Sequence, residues 1–514
     1  MSQQRRVVAA VAAFALLLTA CGSRLTDEQR EFALAGGGGG TGVGDQLAAG
    51  EGLGEADLLD ETDLDLPEAG GAEVGPEGGD TAPDAAAGGA GSGGGDGSGD
   101  GDGSGGGDGS GDGDGSGGGD GAANSNDTRA APPGGNGGAT DTGVTEDRIV
   151  LANVSDISGA VPGLFEDAQK AAAAYVAYFT ASEGTIYGRQ LQLLPLDSRL
   201  DAGQARAQYL RACEEAFAGV GSMSAFEEGA AGPVKDCGIP DVRATTTSAE
   251  MQRLPNVYSG EVQTVGNVNG SAFRYWAEQH PEAVKKAAYL WIENSTTNFQ
   301  TGQNRKALAK VGYNWVYEQP IQIAETNYAA FVIEMKNRGV EFVTFQGDYT
   351  QAIRLRQAMQ QQNFEPVVYG LQPNIYSPRF LEAGGSSVEG TEIYMSAVPL
   401  EEIGNNEEMQ LYAQWLKQVD PRAHPTYLGL YAWSVSKLTV ETLKKIGPEV
   451  TRAKLIAELD KVTGWTGNGL HAPQDIGPRR NNDCHLVVQV QDGRFVRTWP
   501  AKDWVCRDRA LRVD

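Results

Sequence analysis

Cysteine and histidine are scarce in this chain, five and four among 514 residues. No CxxC pair occurs, and His280, His424, His471 and His485 are scattered, so neither a metal nor another cofactor is expected. A GxSxG elbow, a Walker loop and an HExxH helix are also absent, and the glycine runs that would match GxGxxG lie in low-complexity sequence. No enzyme signature is left. Adjacent carboxylates such as Glu227–Glu228 and Glu401–Glu402 point in different directions on a helix or strand, so they read as solvated faces. A basic patch is missing and the net charge is −27, which argues against a nucleic-acid partner. Beyond the N-terminus no apolar run approaches the roughly 18 residues of a membrane span.

Aromatic residues are nearly missing from the first part of the chain: between Cys21 and Thr145 the only one is Phe32. Gly, Asp, Ala and Ser dominate there, a composition that cannot build a core, so residues 21–144 are expected to form a disordered tether. The tether holds most of the acidity. Residues 22–142 carry 25 acidic and 3 basic side chains, leaving a net of only −7 for residues 143–514. The charge therefore says little about a ligand. The repeated GGGDGSGDGDGS looks like a calcium array, but an EF-hand loop starting at Asp100 would need Glu at its twelfth position, where Gly111 stands. β-Roll repeats would need a regular apolar residue, which is also missing.

The first 20 residues read as an export signal. Arg5 and Arg6 precede a short apolar stretch, Val7 to Leu18, and then Thr19-Ala20-Cys21. The segment resembles a bacterial lipoprotein signal, which implies acylation of Cys21 and a lipid anchor on the outer face of the cell membrane. The export route, general secretory or twin-arginine, stays open.

From about Thr145 short apolar runs alternate with amphipathic helical stretches: RIVLANVS then FEDAQKAAAAYVAYF, RQLQLLPLD then AGQARAQYLRACEEAF, and later AAYLWIEN, WVYEQPIQI, EFVTFQG and PVVYGLQ. Strand and helix in alternation predict an α/β fold with parallel sheets, and some 370 residues exceed one core. Two such series with NVYSGEVQ between them predict two Rossmann-like lobes joined by crossing strands. Four cysteines remain in an oxidising setting. Three pairings are possible, and proximity in sequence favours Cys213–Cys237 and Cys484–Cys506.

GVTEDRIVLANVSDISGAVPGLFEDAQKAAAAYVAYF, IYGRQLQLLPLDSRLDAGQARAQ and FAGVGSMSAF, with GWTGNGLHAPQDIG and QVQDGRFVRTWP near the end, resemble the type 1 periplasmic binding proteins of the branched-chain amino-acid (Leu/Ile/Val) receptor family. The resemblance spans residues 145–514. It implies two α/β lobes, about 145–260 with 397–470 and about 264–394 with 472–514, on a three-strand hinge. It also implies a non-enzymatic solute receptor that hands a small polar molecule, such as an amino acid, amide or carboxylate, to ABC permease subunits. A receptor of the same architecture that signals to a membrane sensor without transport is the alternative.

Ligand in this family sits between the lobes, where strand ends and helix N-termini gather N–H groups and hydroxyls. In the first lobe the resemblance points to Ser222, Ser224, Phe226, Thr245, Thr246 and Thr247. Ser224, Thr245 and Thr247 fall at positions that hold a ligand carboxylate, although Ser and Thr also cap helices everywhere. In the second lobe it points to Thr297, Phe299, Asp348, Tyr349 and Gln372. Gln372 stands where amino-acid receptors have an acidic residue facing the ligand ammonium. Asp348 takes over that role if it points into the cleft, and is otherwise a solvated turn residue. Tyr376 is either a stacking residue or core.

Overall fold

The computed structural model describes residues 128–507 and 509–514. The signal segment, Cys21 and tether residues 21–127 lie outside the described residues. Five parallel strands make the first sheet: β1 (Arg148–Ser155), β2 (Gln190–Asp197), β3 (Ala218–Val220), β4 (Asp241–Thr245) and β5 (Val257–Glu261), in the order β2-β1-β3-β4-β5. β1 and β2 pair without a slip from Arg148 opposite Gln190 to Ser155 opposite Asp197. Strand order reverses beside β1, and such a switch point opens a crevice at the carboxyl edge of the sheet.

Helices cover both faces, as the near-continuous burial of β1, β3 and β4 requires. Helix Glu166–Ser182 turns Ala168, Ala171, Ala172, Tyr175 and Phe179 inward at helical spacing. It packs on the long helix Tyr427–Ile446, which also covers β4. Trp433 of that helix meets the Tyr175 ring edge-on at 4.9 Å.

After β6 (Asn267–Val268), the second sheet is built from β7 (Ala287–Ile292), β8 (Trp315–Ile321), β9 (Phe342–Gln346), β10 (Val368–Leu371) and β11 (Glu392–Met395), all parallel, followed by antiparallel β12 (Asp483–Gln491) and β13 (Arg494–Trp499). Its order is β13-β12-β11-β10-β9-β7-β8. Every residue of β7 is buried, which accounts for the unbroken apolar run AAYLWI. The terminal hairpin turns at Asp492 (φ 51°) and Gly493 (φ 69°), the left-handed pair that a two-residue loop requires. β14 (Val505–Arg507) pairs with β12, and β15 (Leu511–Arg512) returns to β6.

Both disulfides follow the pairing favoured by sequence proximity. Cys213 bonds Cys237 between helices Ala202–Glu215 and Ala231–Cys237, and Cys484 bonds Cys506 directly across the β12–β14 ladder. Three passes of chain run between the two sheets: one after β5, one at Ser396–Val398 and one at Leu470–Gln474. They are tied to one another, since Val398 donates to Leu470 O (2.9 Å), Ala472 to Ser396 O (2.7 Å) and Val262 to Gln474 Oε1 (3.0 Å).

The expected boundary of the folded part near residue 145 moves. Residues 128–144 lie as a strap against the first sheet: Tyr187 and Gly188 donate to the carbonyls of Thr128 and Arg129 (2.6 and 2.7 Å), and Asn136 Nδ2 donates to Glu146 O and Tyr187 O (2.7 and 2.9 Å). The reason is Arg189, which is fully buried, has no ion-pair partner among the described residues, and donates instead to the carbonyls of Asn136, Gly138, Thr145 and Pro448. At Gly143 (φ 72°) the strap passes so close to the chain at Ala216–Phe217 that a Cβ would lie 2.2 Å from the Phe217 nitrogen. Composition alone hides a segment whose binding comes from its carbonyls.

Candidate functional site

The carboxyl edges of β4 and β5 face those of β7, β9 and β10 across a cavity of about 170 Å³. Phe226, Thr245, Thr247 and Glu261 line it from one side, Thr297, Gln346, Asp348 and Gln372 from the other, and Tyr427 from the long helix. Leu164, Phe165, Met223, Ile292, Ile323 and Leu428 make much of the remaining wall. An outer space of about 310 Å³ adjoins it, bounded by the Ala160–Phe165 loop, Tyr349, Arg354 and Arg379.

Six of the eleven ligand-binding residues expected from sequence reach the inner cavity: Phe226, Thr245, Thr247, Thr297, Asp348 and Gln372. Tyr349 lines the outer space. Ser222, Ser224, Thr246 and Phe299 line neither. Ser222 accepts the Val154 N–H at 3.1 Å at the edge of the sheet, and the Ser224 hydroxyl donates to Asp156 Oδ1 at 3.0 Å. Thr246 is buried with its hydroxyl unpartnered, and on the Phe299 helix it is Gln300 that reaches the wall. Tyr376 is core: it packs on the Phe495 ring at 4.4 Å and donates to Glu401 at 2.6 Å.

Asp348 is neither an open cleft carboxylate nor a solvated turn residue. It is buried and caps helix Tyr349–Gln361, accepting from the Thr350 and Gln351 amides at 2.7 and 3.4 Å and from the Thr350 hydroxyl at 2.5 Å. Thr297 has a similar local duty in the capping box with Asn294, with its hydroxyl on Ile292 O. Its side chain still borders the cavity.

The reading of Glu227–Glu228 as a solvated face is overturned. Glu227 is fully buried; Oε2 takes Arg243 Nη2 at 2.8 Å, while Oε1 takes the main-chain N–H groups of Thr247 and Ser248 at 2.7 and 2.6 Å. Arg243, also fully buried, pairs further with Asp241 (3.0 Å), which accepts the Tyr209 hydroxyl at 2.6 Å. Burial pushes the Glu227 carboxyl up against the opposing pull of Arg243 and the two amides. A guanidinium inside β4 needs carboxylate partners, and that demand turns Glu227 inward. Glu228 reaches across the cleft, accepting from the Ser295 and Thr296 hydroxyls at the start of helix Ser295–Ala309.

Three carboxylates therefore organise this edge, and no motif in the sequence marks them. Asp156 accepts from Ser198, Leu200 N, Ser224 and Ala225 N at 2.5–3.0 Å. Glu227 holds the Thr247 loop. Glu261, only 8% exposed at the end of β5, accepts from Tyr427 at 2.5 Å and Ser396 at 3.4 Å on the cavity wall. Burial raises its carboxyl above the usual range. Among the described residues the inner cavity has no Lys, Arg or His in its wall.

Among the described residues no cluster of metal-ligating side chains occurs and no helix is long and apolar enough to cross a membrane. A family model described as periplasmic binding protein matches residues 148–494, and the chain belongs to that family, the type 1 periplasmic binding proteins. No curated protein matches the sequence closely enough to add a relative.

Among solved structures the chain is similar to a fatty acid ABC transporter substrate-binding protein from Thermomonospora curvata (16% identity over 74% of this chain and 97% of that one, TM-score 0.63). A branched-chain amino acid transporter substrate-binding protein from Streptococcus pneumoniae, in complex with isoleucine, is similar at 14% identity over 70% and 100% of the two chains, TM-score 0.58. So is an ABC transporter solute-binding protein from R. palustris in complex with benzoate, at 14% over 71% and 99%, TM-score 0.58. At these identities the likeness defines the fold.

Proposed function

We propose that this chain is an extracytoplasmic solute-binding protein, lipid-anchored at Cys21, that captures a small polar solute between its lobes and delivers it to an ABC importer. One observation carries the reading: a cavity is lined from the facing edges of two sheets that are connected, among the described residues, by three tied passes of chain. Contacts from both sides on one ligand favour the shut form over the open one, and that difference drives closure. The wall joins hydroxyl, amide and carboxyl groups to apolar side chains, as small-molecule sites do. No catalytic step belongs to this reading.

Small-angle scattering of the full chain across a panel of amino acids, amides, amines, carboxylates, sugars and nucleosides tests it. A ligand that stabilises the protein in a thermal shift should also reduce the radius of gyration, and an unchanged radius at saturation refutes the closing cleft. Cys21→Ser should release the protein from membranes without altering ligand affinity. Membrane retention of that variant removes the anchor from the proposal.

A further inference from the structure

The main-chain amides that could hold a ligand carboxylate at this edge are already filled from within, and the Thr247 hydroxyl on the wall is left without a partner. Glu227 occupies the Thr247 and Ser248 amides, and Asp156 occupies the Ala225 amide and the Ser224 hydroxyl. Glu261, by contrast, faces the cavity with hydroxyl donors on it and, among the described residues, no cation. The groups gathered around it and around the hinge-side space below are Tyr394, Tyr427, Tyr431, Gln263, Gln346 and Gln372. The two nearby histidines supply no charge. His485 accepts the Ala272 N–H on Nδ1 at 3.2 Å, and His471 is held between Ser434 and Ala472 O; burial pushes them down to about 3 and about 4. A buried carboxylate without a counter-charge is costly, and a bound cation removes that cost.

We infer that the cavity takes an organic amine that carries no carboxylate, its protonated nitrogen against Glu261 and its apolar body against Phe165, Phe226 and Ile323. The inference rests on the cavity being the solute site. It places the counter-charge on the strand leading into the hinge, opposite the neutral Gln372.

The test compares matched compounds on the full chain: 2-phenylethylamine, phenylacetamide, phenylacetate and phenylalanine, with hexylamine, hexanamide and hexanoate as a second skeleton. The amines should raise the melting temperature and bind by calorimetry, and the matched carboxylates should not. Glu261→Gln should weaken amine binding at least tenfold while the ligand-free variant melts no lower than the parent. Stabilisation by a carboxylate, amide or amino acid in place of the amine overturns the assignment, as does a blank for both amines or unchanged amine affinity in Glu261→Gln. The panel on the unaltered chain decides the matter even if the variant does not fold. Failure of the amine assignment leaves the solute-binding reading intact, because that reading falls only when the wider scattering panel shows no closure.

Discussion

Replacing Glu227 by Gln perturbs one atom in a fully buried network and should cost a large share of the protein's stability. The carboxylate has two faces: Oε1 accepts two amides at 2.7 and 2.6 Å, and Oε2 accepts Arg243 at 2.8 Å. A glutamine amide offers an acceptor to only one face and puts a donor on the other. If the oxygen stays with the amides, Arg243 loses an ion pair in the interior, a change worth about 3–5 kcal/mol. If it turns to Arg243, two buried N–H groups lose their acceptor, at about 1–3 kcal/mol each. The expected loss is about 3–5 kcal/mol in the first case and about 2–6 kcal/mol in the second, against a typical total of about 5–15 kcal/mol. Urea unfolding of the full chain followed by tryptophan fluorescence measures it as a drop in midpoint at constant slope. The sequence neighbour is the control. Glu228→Gln keeps a carbonyl for one of the Ser295 and Thr296 hydroxyls and turns an amide N–H to the oxygen of the other, at a half-buried position where water can help, and should cost less than about 1 kcal/mol. Equal losses for the two variants, or a loss below about 1 kcal/mol for Glu227→Gln, would refute the assignment of Glu227 as the clamp on the Thr247 loop.

The strap and the histidines give two further predictions. A chain beginning at residue 143 strips Arg189 of its Asn136 and Gly138 acceptors, so it should be less stable than one beginning at residue 128 by at least about 1–3 kcal/mol; equal midpoints in urea would return the strap to the tether. His471 and His485, held down to about 4 and about 3, are protonated in the unfolded chain from about pH 6.5 downward but not in the folded one. Their contribution is therefore full above pH 6.5 and is lost as pH falls towards 4, at about 1.4 kcal/mol per pH unit for each. Unfolding midpoints measured from pH 7.5 to 4.5 should fall steeply, and a His471→Gln/His485→Gln double variant should flatten the slope; an identical slope would show that the histidines are not the source.

Alternation of apolar runs with amphipathic helices is enough to read the parallel sheets, because the central strands are covered on both faces and helices such as Glu166–Ser182 on one. RIVLANVS and AAYLWI carry that burial in their composition. Cys213–Cys237 and Cys484–Cys506 were legible for a related reason, since sequence-near cysteines on adjoining elements leave little choice. The site was only half legible. Hydroxyl-rich loops after strands mark a sheet edge, but whether a hydroxyl or an amide there is free for a ligand depends on which acceptor the fold brings to it from elsewhere.

Asp156 meets Ser224 across 68 residues and Glu227 meets Ser248 across 21, and neither spacing has a local signature. Arg243 shows the logic most clearly: it is a charged residue within β4, yet it is buried and commits both Asp241 and Glu227 to itself. Through Glu227 that commitment reaches the Thr247 and Ser248 amides, so one buried arginine settles whether those two N–H groups can receive an anion. Part of the cavity's chemistry is thus determined a layer beneath its wall, by residues that do not line it.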